Sequence, residues 1–367
     1  MSNADMTSGQ PAAERASSGA AWRRLLRWEW LLVALIVVTA LINTRLSPFF
    51  LRSDNLLRTT SDFMEIGIMM LPMVFIIVTG NIDLSIASIL GLSAALLGWL
   101  HIQGVNIWLA AALALAIGAL AGLLNGVLIA RLGLPALVVT LGTLSFYRGL
   151  AYALLGDEAA RGYPASFTYL GQGTLGATRI PAALVIFTVL ALGFGLALNR
   201  MTFGRYLYAI GNNEDASRFS GVPTARVKIT IYVLSGLIAA LAGLILAARY
   251  GSTRPDIGTG LELTVITVTV LGGVSIFGGS GTMIGAILAL ILIGILRFGM
   301  GLMNIQGQVQ DVVIGSLLIL SILMPRARHL AALRSARRDT LIKIGAGLVI
   351  ALIFGWFFWW SRTLIAS

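Results

Sequence analysis

The sequence predicts an all-α integral membrane protein, a polytopic helical bundle of about ten transmembrane helices with an extra helix at its C-terminus. Of its 367 residues, 57% are hydrophobic and only 11% are charged, and the mean hydropathy is +0.90. Soluble domains carry about 25% charged residues, so this composition favours a chain surrounded by lipid. Apolar runs separated by short polar segments recur along the chain, and a run of about 20 residues can cross a bilayer as a helix.

Ten apolar runs are long enough, or nearly long enough, to span the bilayer. They cover residues 29–44, 63–79, 84–100, 108–130, 136–155, 181–199, 228–248, 262–277, 282–298 and 308–324. The third, fifth, eighth and ninth runs are the weakest and are compatible with tilted, broken or re-entrant helices. An eleventh run, 341–361, lies beyond Pro325 and ends in a cluster of aromatic residues.

The chain is expected to divide into four segments. Residues 1–28 are mostly small and polar, which predicts a disordered cytoplasmic tail. Residues 29–325 form the transmembrane domain, 326–340 a basic cytoplasmic linker, and 341–367 contain the extra C-terminal transmembrane helix. No segment outside the membrane is long enough to bury a hydrophobic core of its own.

The basic residues predict the orientation of the chain in the membrane. The formal net charge is +11. In a membrane protein, Lys and Arg concentrate in cytoplasmic loops, so the bilayer and not a nucleic acid explains this charge. Arginines precede the first run and are frequent in residues 200–227 and after the tenth run. We therefore expect the N-terminus and the long 200–227 loop to be cytoplasmic.

A short capped helix is predicted inside the 200–227 loop. Either Asn212 or Asn213 can cap its start, and Gly221 can stop it before Pro223. Acidic residues in the first turn and a basic one in the last turn complement the helix dipole. The residues concerned are Asn213, Glu214, Asp215, Arg218, Phe219 and Gly221. A helix presented on the cytoplasmic face of a membrane protein indicates a docking site for a partner.

The sequence lacks the residues that enzymatic or metal chemistry would need. It contains no cysteine, and each of its two lysines is followed by isoleucine, so it has no G-x-x-x-x-G-K-[ST] phosphate-binding loop. Its two histidines, His101 and His329, fall on opposite predicted faces of the membrane. We therefore expect no catalytic site, no metal and no cofactor on this chain.

Four polar residues within or beside the apolar runs are candidates for a transport pathway: Asn81, Asp83, Glu262 and Thr267. A charge inside the bilayer costs about 2.5–3.5 kcal/mol on insertion scales, so each instance calls for a reason. Asp83, which follows the second run, fits either a polar break in a helix or a helix N-cap. Glu262 opens the eighth run and fits either a pathway or the membrane interface.

Five segments in order resemble the membrane permease subunit of bacterial ABC importers of the ribose-type sugar class. They are TGNIDLS, LVVTLGTLSFYRG, FGRYLYAIGNNEDASRFSGV, YVLSGLIAALAGLILAARYGS and LGGVSIFGGSGTMIGA. Two more, TTSDFMEIGIMMLP and GSTRPDIGTGLELTVITVTVLGG, are most similar to the branch that imports rhamnose or autoinducer-2. The resemblance covers residues 60–325. The family usually has glycine where Asn81 stands and alanines near Ile266 and Thr267.

The resemblance implies a permease that is not an enzyme and that forms the pathway for a monosaccharide or sugar-like molecule in the bacterial inner membrane. A separate cytoplasmic ATPase subunit would hydrolyse ATP, a periplasmic sugar-binding protein would deliver the cargo, and a second permease subunit, identical or not, would complete the pathway. The segment that matches the ATPase-coupling helix is 211–221. The alternative is an ion-gradient-driven secondary transporter in which Asp83 and Glu262 couple the ion.

Overall fold

The computed structural model describes residues 28–176 and 178–332, which are almost entirely helical. The first seven helices are α1 (Trp28–Leu46), α2 (Ser53–Thr60), α3 (Met64–Val78), α4 (Ile86–Ile102), α5 (Ile107–Ala130), α6 (Ala136–Leu155) and α7 (Ala165–Gln172). A 3₁₀ turn, Ser61–Phe63, leads into α3. The remaining helices are α8 (Ala182–Arg200), α9 (Thr202–Asn212), α10 (Glu214–Phe219), α11 (Thr224–Tyr250), α12 (Leu261–Leu271), α13 (Met283–Leu302) and α14 (Gly307–Ala332).

Two short strands join loops at one end of the bundle. β1 (Ala160–Arg161) pairs with β2 (Ser252–Thr253) in antiparallel register, with Ala160 opposite Thr253. The strands lie after α6 and α11, so they connect the α6–α7 loop to the α11–α12 loop. With two residues each, they leave the architecture all-α.

A helix lies at each of the ten predicted spans, but not all ten are long enough to cross a bilayer. Within the described part of the chain, seven helices have the length and apolar composition for crossing, counting Ser61–Val78 as one. The apolar helices Ile86–Ile102 and Leu261–Leu271 and the segment Gly307–Ile319 are shorter. The prediction of an all-α polytopic membrane protein is confirmed, and the prediction of ten crossings is not. Two of the three short elements, α4 and α12, are among the runs that the sequence marks as weak.

Glycines set the length of α12. Gly260, with φ +87°, precedes its first residue, and Gly272 and Gly273 follow its last. Because glycine adopts positive φ without steric cost, the chain turns sharply at both ends of this helix. The predicted eighth run, 262–277, therefore contains a helix that ends at Leu271 and continues as a turn.

The helices α5 and α11 pack more extensively on each other than any other two helices. Gly118, Gly122 and Gly126 line the face of α5 that meets α11. A Cβ atom on Gly122 would overlap the carbonyl group of Tyr232, and one on Gly118 would lie 2.6 Å from the carbonyl oxygen of Gly236. Small residues four apart thus let the two backbones touch, as helix packing in membranes requires.

The spanning helices differ in how much of their surface is buried. α3 is the most deeply buried spanning helix, whereas α1 and α8 expose most of their surface. The exposed side chains of α1 and α8 are apolar, including Leu41, Val189 and Leu192. An apolar surface of this kind suits contact with lipid or with another membrane-embedded chain.

Three predicted segments fall largely outside the described residues: the N-terminal tail 1–28, most of the linker 326–340 and the extra C-terminal helix 341–367. The last described helix, α14, continues to Ala332 and so passes Pro325 without ending. The first residues of the predicted linker are therefore helical. The fixed φ of proline is compatible with a helix, so Pro325 removes one backbone hydrogen bond without forcing the helix to stop.

Candidate docking helix and buried polar network

The predicted capped helix is present as α10, and its N-cap is Asn213. The side-chain oxygen of Asn213 accepts a hydrogen bond from the backbone N–H of Ala216 at 2.9 Å, and the backbone carbonyl of Asn213 accepts one from the Ser217 hydroxyl at 2.8 Å. Gly221 follows the helix with φ +84°, which places it in the left-handed region that glycine favours. The alternative cap, Asn212, instead ends α9 and donates to the Tyr208 carbonyl.

An ion pair anchors α10 to the start of α11. The Lys228 ammonium group lies 2.5 Å from Glu214 Oε2, and the Lys228 side chain is almost buried while that of Glu214 is half exposed. Lys228 is on the first turns of α11. Glu214 thus ties α10 to α11 through this ion pair while its side chain stays half exposed.

The other charged residues of α10 face solvent. Arg218 and Asp215 form an ion pair at 3.0 Å, and their side chains are 65% and 75% exposed. Phe219 is 85% exposed, more than any other large hydrophobic side chain in the described residues. An exposed aromatic residue at the end of a polar helix is typical of a surface that another protein covers.

The helix before α10 is amphipathic and packs against the bundle. Gly204, Leu207 and Ile210 of α9 are buried. At its end, Gly211 lies so close to α3 that a Cβ atom there would overlap the carbonyl oxygen of Val78. The chain therefore brings α10 next to the end of α3, where the turn that carries Asp83 begins.

Asp83 is completely buried and all of its hydrogen-bond partners are serines. Oδ1 accepts from the backbone N–H of Ser85 at 2.9 Å and from the Ser85 hydroxyl at 2.6 Å, and Oδ2 accepts from the Ser235 hydroxyl at 3.0 Å. Ser85 occupies the N-cap position of α4, and its side chain makes no capping bond to that helix. Asp83 is therefore not the N-cap of α4: it lies two residues before that position, fixes Ser85 and adds a contact to α11.

The network extends beyond Asp83 into α5 and α6. Asn125 donates from Nδ2 to the Ser85 hydroxyl at 2.8 Å, and the Tyr147 hydroxyl lies 3.1 Å from Asn125 Oδ1 and 2.9 Å from the Ala121 carbonyl oxygen. We call Asp83, Ser85, Asn125, Tyr147 and Ser235 the Asp83 network. Each member is at most 2% exposed. The network connects α4, α5, α6 and α11 through polar groups that water cannot reach.

Sequence reasoning identified Asp83 as a polar residue that calls for a partner but missed the other members of the network. Asn125, Tyr147 and Ser235 each lie within an apolar run of a spanning helix. A signal was available, because an amide side chain in the middle of an apolar helix must find a partner inside the protein.

The remaining pathway candidates occupy different places. Asn81 is partly exposed and donates to the carbonyl and the hydroxyl oxygens of Thr79. Thr267 is 2% exposed and donates to the Leu263 carbonyl of its own helix. Glu262 is partly exposed in the first turn of α12. No hydrogen bond or ion pair in the described residues joins Glu262 to Asp83.

Arg148 of α6 organises the loop before α12. Its NH1 group donates to the carbonyls of Pro255 and Ile257 at 2.8 and 2.9 Å, and its NH2 group donates to Ala87 of α4 at 3.2 Å. This side chain thus bonds to three carbonyl oxygens, which the several N–H donors of one guanidinium group can satisfy together.

These features together describe a multi-pass helical bundle with an internal polar network and an exposed capped helix at one end, and its described residues contain no cluster of His, Cys, Asp and Glu able to hold a metal. The chain belongs to the family described as "Branched-chain amino acid transport system / permease component", which matches residues 55–322. It is thus a permease component of a transport system and a multi-pass protein of the bacterial inner membrane.

Curated relatives show which members of this family the chain is similar to. The chain is 39% identical over 304 residues to the autoinducer 2 import system permease protein LsrD of Klebsiella pneumoniae, an alignment that covers 81% of this chain and 91% of the relative. It is 39% identical to the protein of the same name from an Enterobacter species over 81% of this chain and 92% of the relative. It is 40% identical to the LsrD protein of Yersinia pseudotuberculosis serotype O:1b, and that alignment covers 80% of this chain and 89% of the relative. No solved structure matches the chain. The resemblance to ribose-type importer permeases is confirmed.

Proposed function

We propose that this chain forms the translocation pathway of a bacterial ABC importer for a monosaccharide or sugar-like molecule such as autoinducer-2, rhamnose or a ribose-type sugar. Movement would be driven by a separate ATPase subunit that docks on α10 from the cytoplasm. A periplasmic sugar-binding protein would deliver the cargo, and a second permease subunit, identical to this chain or not, would complete the pathway. The family match and the names of the relatives support this proposal.

The observation that carries the proposal is the exposed end of α10. Phe219 and Arg218 project from a helix that is capped by Asn213 and anchored by Glu214 to Lys228. The helix is therefore ordered before any partner binds, which lowers the entropic cost of docking. In this proposal Glu214 holds the helix in place, and Gly221 terminates it. Asp215, Arg218 and Phe219 form the surface that the partner contacts.

The orientation follows from charge. Arg200, Arg205, Arg218 and Arg226 border or lie in the loop that carries α10, and arginines also precede α1. The positive-inside rule places both regions in the cytoplasm, with the N-terminus inside. In this orientation α10 faces the compartment that contains ATP.

For the pathway itself, we propose Asn81 and Glu262, the two candidates that are partly exposed within this chain. Asp83 and Thr267 are buried, so the proposal assigns Asp83 to the internal network and Thr267 to the packing of α12. The secondary-transporter alternative gains no support, because the hydrogen bonds of Asp83 go to Ser85 and Ser235 and none goes to Glu262.

The experiment is uptake into proteoliposomes that contain the permease subunits and the ATPase, with the sugar-loaded binding protein outside. Arg218→Ala combined with Phe219→Ala is expected to lower ATP-driven uptake about tenfold or more, because aromatic and arginine anchors dominate docking energies. Phe146→Ala, at a position of the spanning helix α6 that is 54% exposed, is the matched control and should retain uptake. Uptake of labelled autoinducer-2, rhamnose and ribose would identify the cargo. Uptake by the chain alone under a proton or sodium gradient would contradict the proposal.

A further inference from the structure

A cavity of about 270 Å³ lies in the loop between α11 and α12. The 27 residues of α11 separate this loop from α10, and a helix of that length is about 40 Å long, so the cavity and α10 lie at opposite ends of the bundle. An aromatic ring, an ion pair and two hydroxyl groups are among the groups that line the cavity. They belong to Tyr250, Ser252, Arg254, Asp256 and Thr259.

The loop that forms the cavity is tied to the bundle at several points. Arg148 of α6 donates to the carbonyls of Pro255 and Ile257 at 2.8 and 2.9 Å, and the Tyr163 hydroxyl donates to the Thr253 hydroxyl at 2.7 Å. Strand β2, which opens the loop, is paired with β1. The walls of the cavity are therefore in place before a ligand enters, so little conformational freedom is lost on binding.

Tyr250 supplies the aromatic ring. It is 60% exposed, and the Arg249 guanidinium group lies over its ring, 4.9 Å from the centroid. Arg249 is itself held by ion pairs to Glu65 at 2.9 Å and to Asp62 at 2.8 Å. The ring is thus positioned by the bundle while much of its surface stays open. A ring presented in this way offers a flat apolar surface for the C–H face of a ligand.

The charges that line the cavity cancel each other. Arg254 Nε lies 3.2 Å from Asp256 Oδ1, and the two side chains are 66% and 48% exposed. Their remaining donors and acceptors are therefore accessible, and the hydroxyl groups of Ser252 and Thr259 add to them. A cavity with both donors and acceptors and no net charge favours a neutral polyhydroxylated ligand over an anion such as a sugar phosphate.

We infer that this cavity binds one neutral monosaccharide-sized polyol, with its C–H face on Tyr250 and its hydroxyl groups bonded to Arg254 and Asp256. The size agrees, because drug-sized ligands occupy pockets of about 300–1,000 Å³ and this cavity, at about 270 Å³, suits a smaller molecule. For its role the inference rests on the proposed function, in which this end of the bundle faces the periplasm and receives the cargo. The binding itself requires only the geometry of the cavity.

Binding is measured on the purified full chain in lipid nanodiscs, without the ATPase or the binding protein. Saturation-transfer NMR with D-ribose and with L-rhamnose reports contact between the protein and the sugar. Tyr250→Ala is expected to lower the transfer about fivefold or more, because aromatic anchors contribute strongly to binding. Tyr250→Phe keeps the ring and should retain the transfer. Equal transfer in Tyr250→Ala and in the unaltered chain would overturn the inference.

Phe146→Ala is the matched control for Tyr250→Ala, since it removes an exposed ring that does not line the cavity. It should leave the transfer to both sugars unchanged. Loss of transfer in Phe146→Ala equal to that in Tyr250→Ala would show that the sugars contact exposed rings without preference, which also contradicts the inference.

D-ribose 5-phosphate tests the assignment to a neutral ligand. The unaltered chain is expected to favour D-ribose over D-ribose 5-phosphate. Asp256→Asn leaves the Arg254 charge without its partner and should reverse that preference. A preference of the unaltered chain for the phosphate, or an unchanged preference in Asp256→Asn, would contradict the role given to the ion pair.

A single introduced thiol gives an answer even if Tyr250→Ala folds poorly, because the chain contains no cysteine. Thr259→Cys places the thiol on the wall of the cavity, and D-ribose should slow its reaction with a water-soluble maleimide. Thr178→Cys, at an exposed position of the loop between α7 and α8, is the matched control and should react equally fast with and without the sugar. Protection of neither thiol, or of both, would overturn the inference.

The outcomes separate this inference from the proposed function. If the complete importer takes up a sugar while Tyr250→Ala binds it as the unaltered chain does, the cavity assignment is wrong and the proposed function stands. If the cavity binds the sugar and the complete importer transports none, the proposed function fails and the binding site stands. If Tyr250→Ala lowers capture of the periplasmic binding protein and not the transfer to the sugar, the loop is a protein-docking site and the inference is wrong.

Discussion

Two polar regions of the described residues, the Asp83 network and helix α10, differ in where their polar groups find partners. In the Asp83 network a carboxylate, three hydroxyl groups and an amide bond to one another inside the bundle, and each member is at most 2% exposed. At α10 the side chains of Asn213, Glu214 and Ser217 bond to nearby groups of the protein, whereas those of Arg218 and Phe219 are exposed. Polar side chains can therefore either stabilise the bundle from inside or face the outside, where another molecule can contact them. The burial of each side chain distinguishes the two roles.

The difference has an energetic consequence. A buried polar group without a partner costs the full desolvation of that group, whereas an exposed one exchanges its partner for water. Substitutions in the Asp83 network should therefore act first on stability, and substitutions on the exposed face of α10 should act first on function.

The largest effect is expected for Asp83→Ala. It leaves the Ser85 N–H, the Ser85 hydroxyl and the Ser235 hydroxyl without their acceptor. The free energy of unfolding should fall by about 2–5 kcal/mol, because each buried donor without a partner costs about 1–3 kcal/mol and the hydroxyls can partly reorient. Thermal unfolding in detergent and the yield of monodisperse protein measure this loss.

Asp215→Ala is the matched control for Asp83→Ala. The Asp215 side chain is 75% exposed and pairs only with Arg218 one turn away, so its removal should change stability by less than about 0.5 kcal/mol. If both variants unfold at the same temperature, the contrast between the two regions is wrong.

A medium effect is expected for Gly211→Ala, at the point where the chain of α9 and α10 touches the end of α3. The added methyl group would overlap the Val78 carbonyl oxygen and crowd Gly279, so α9 must shift. Overpacking of this kind costs about 1–3 kcal/mol. The shift displaces α10 from the bundle. ATP-driven uptake by the folded variant should therefore fall by more than the loss of folded protein explains.

Gly142→Ala is the control for this variant, since nothing lies within 4 Å of a Cβ atom at that position of α6. It should unfold at or slightly above the temperature of the unaltered protein, because alanine favours helix by up to about 1 kcal/mol over glycine. Equal uptake by the two variants would show that transport does not depend on the contact between Gly211 and α3.

The smallest effect on stability is expected for substitutions of the two acidic residues in the first turn of α10. Glu214→Gln removes the charge that pairs with the nearly buried Lys228, whereas Asp215→Asn removes one that faces water. We expect Glu214→Gln to destabilise the protein by about 1 kcal/mol and Asp215→Asn to have almost no effect, since unpairing a shielded charge costs more than unpairing an exposed one. Hydrogen exchange of the α10 amides should accelerate only in Glu214→Gln. Equal exchange in both variants would mean that the Lys228 pair does not anchor the helix.

Local patterns in the sequence predicted much of the architecture. The cap, the charges and the stop of α10 are all local, since Asn213 bonds to Ala216 and Gly221 turns the chain two residues after the helix ends. The positions of the spanning helices follow from continuous apolar runs in the same way.

Contacts between distant residues could not be predicted. Asp83 meets Ser235 across 152 positions of sequence, and Tyr208 meets Gly281 across 73. Nothing in the local sequence distinguishes the two interpretations of Asp83, because a broken helix and a helix cap require the same turn residues. Its burial and its serine partners appear only when α4 and α11 pack together.

The sequence by itself determined a membrane-embedded helical chain with a capped helix in its long polar loop, because hydropathy and capping depend on neighbours a few residues apart. Tertiary structure alone decided which polar residues are sealed inside and which aromatic rings remain on the surface. Burial is the sum of contacts that several helices make at once, so it exists only after the bundle has assembled.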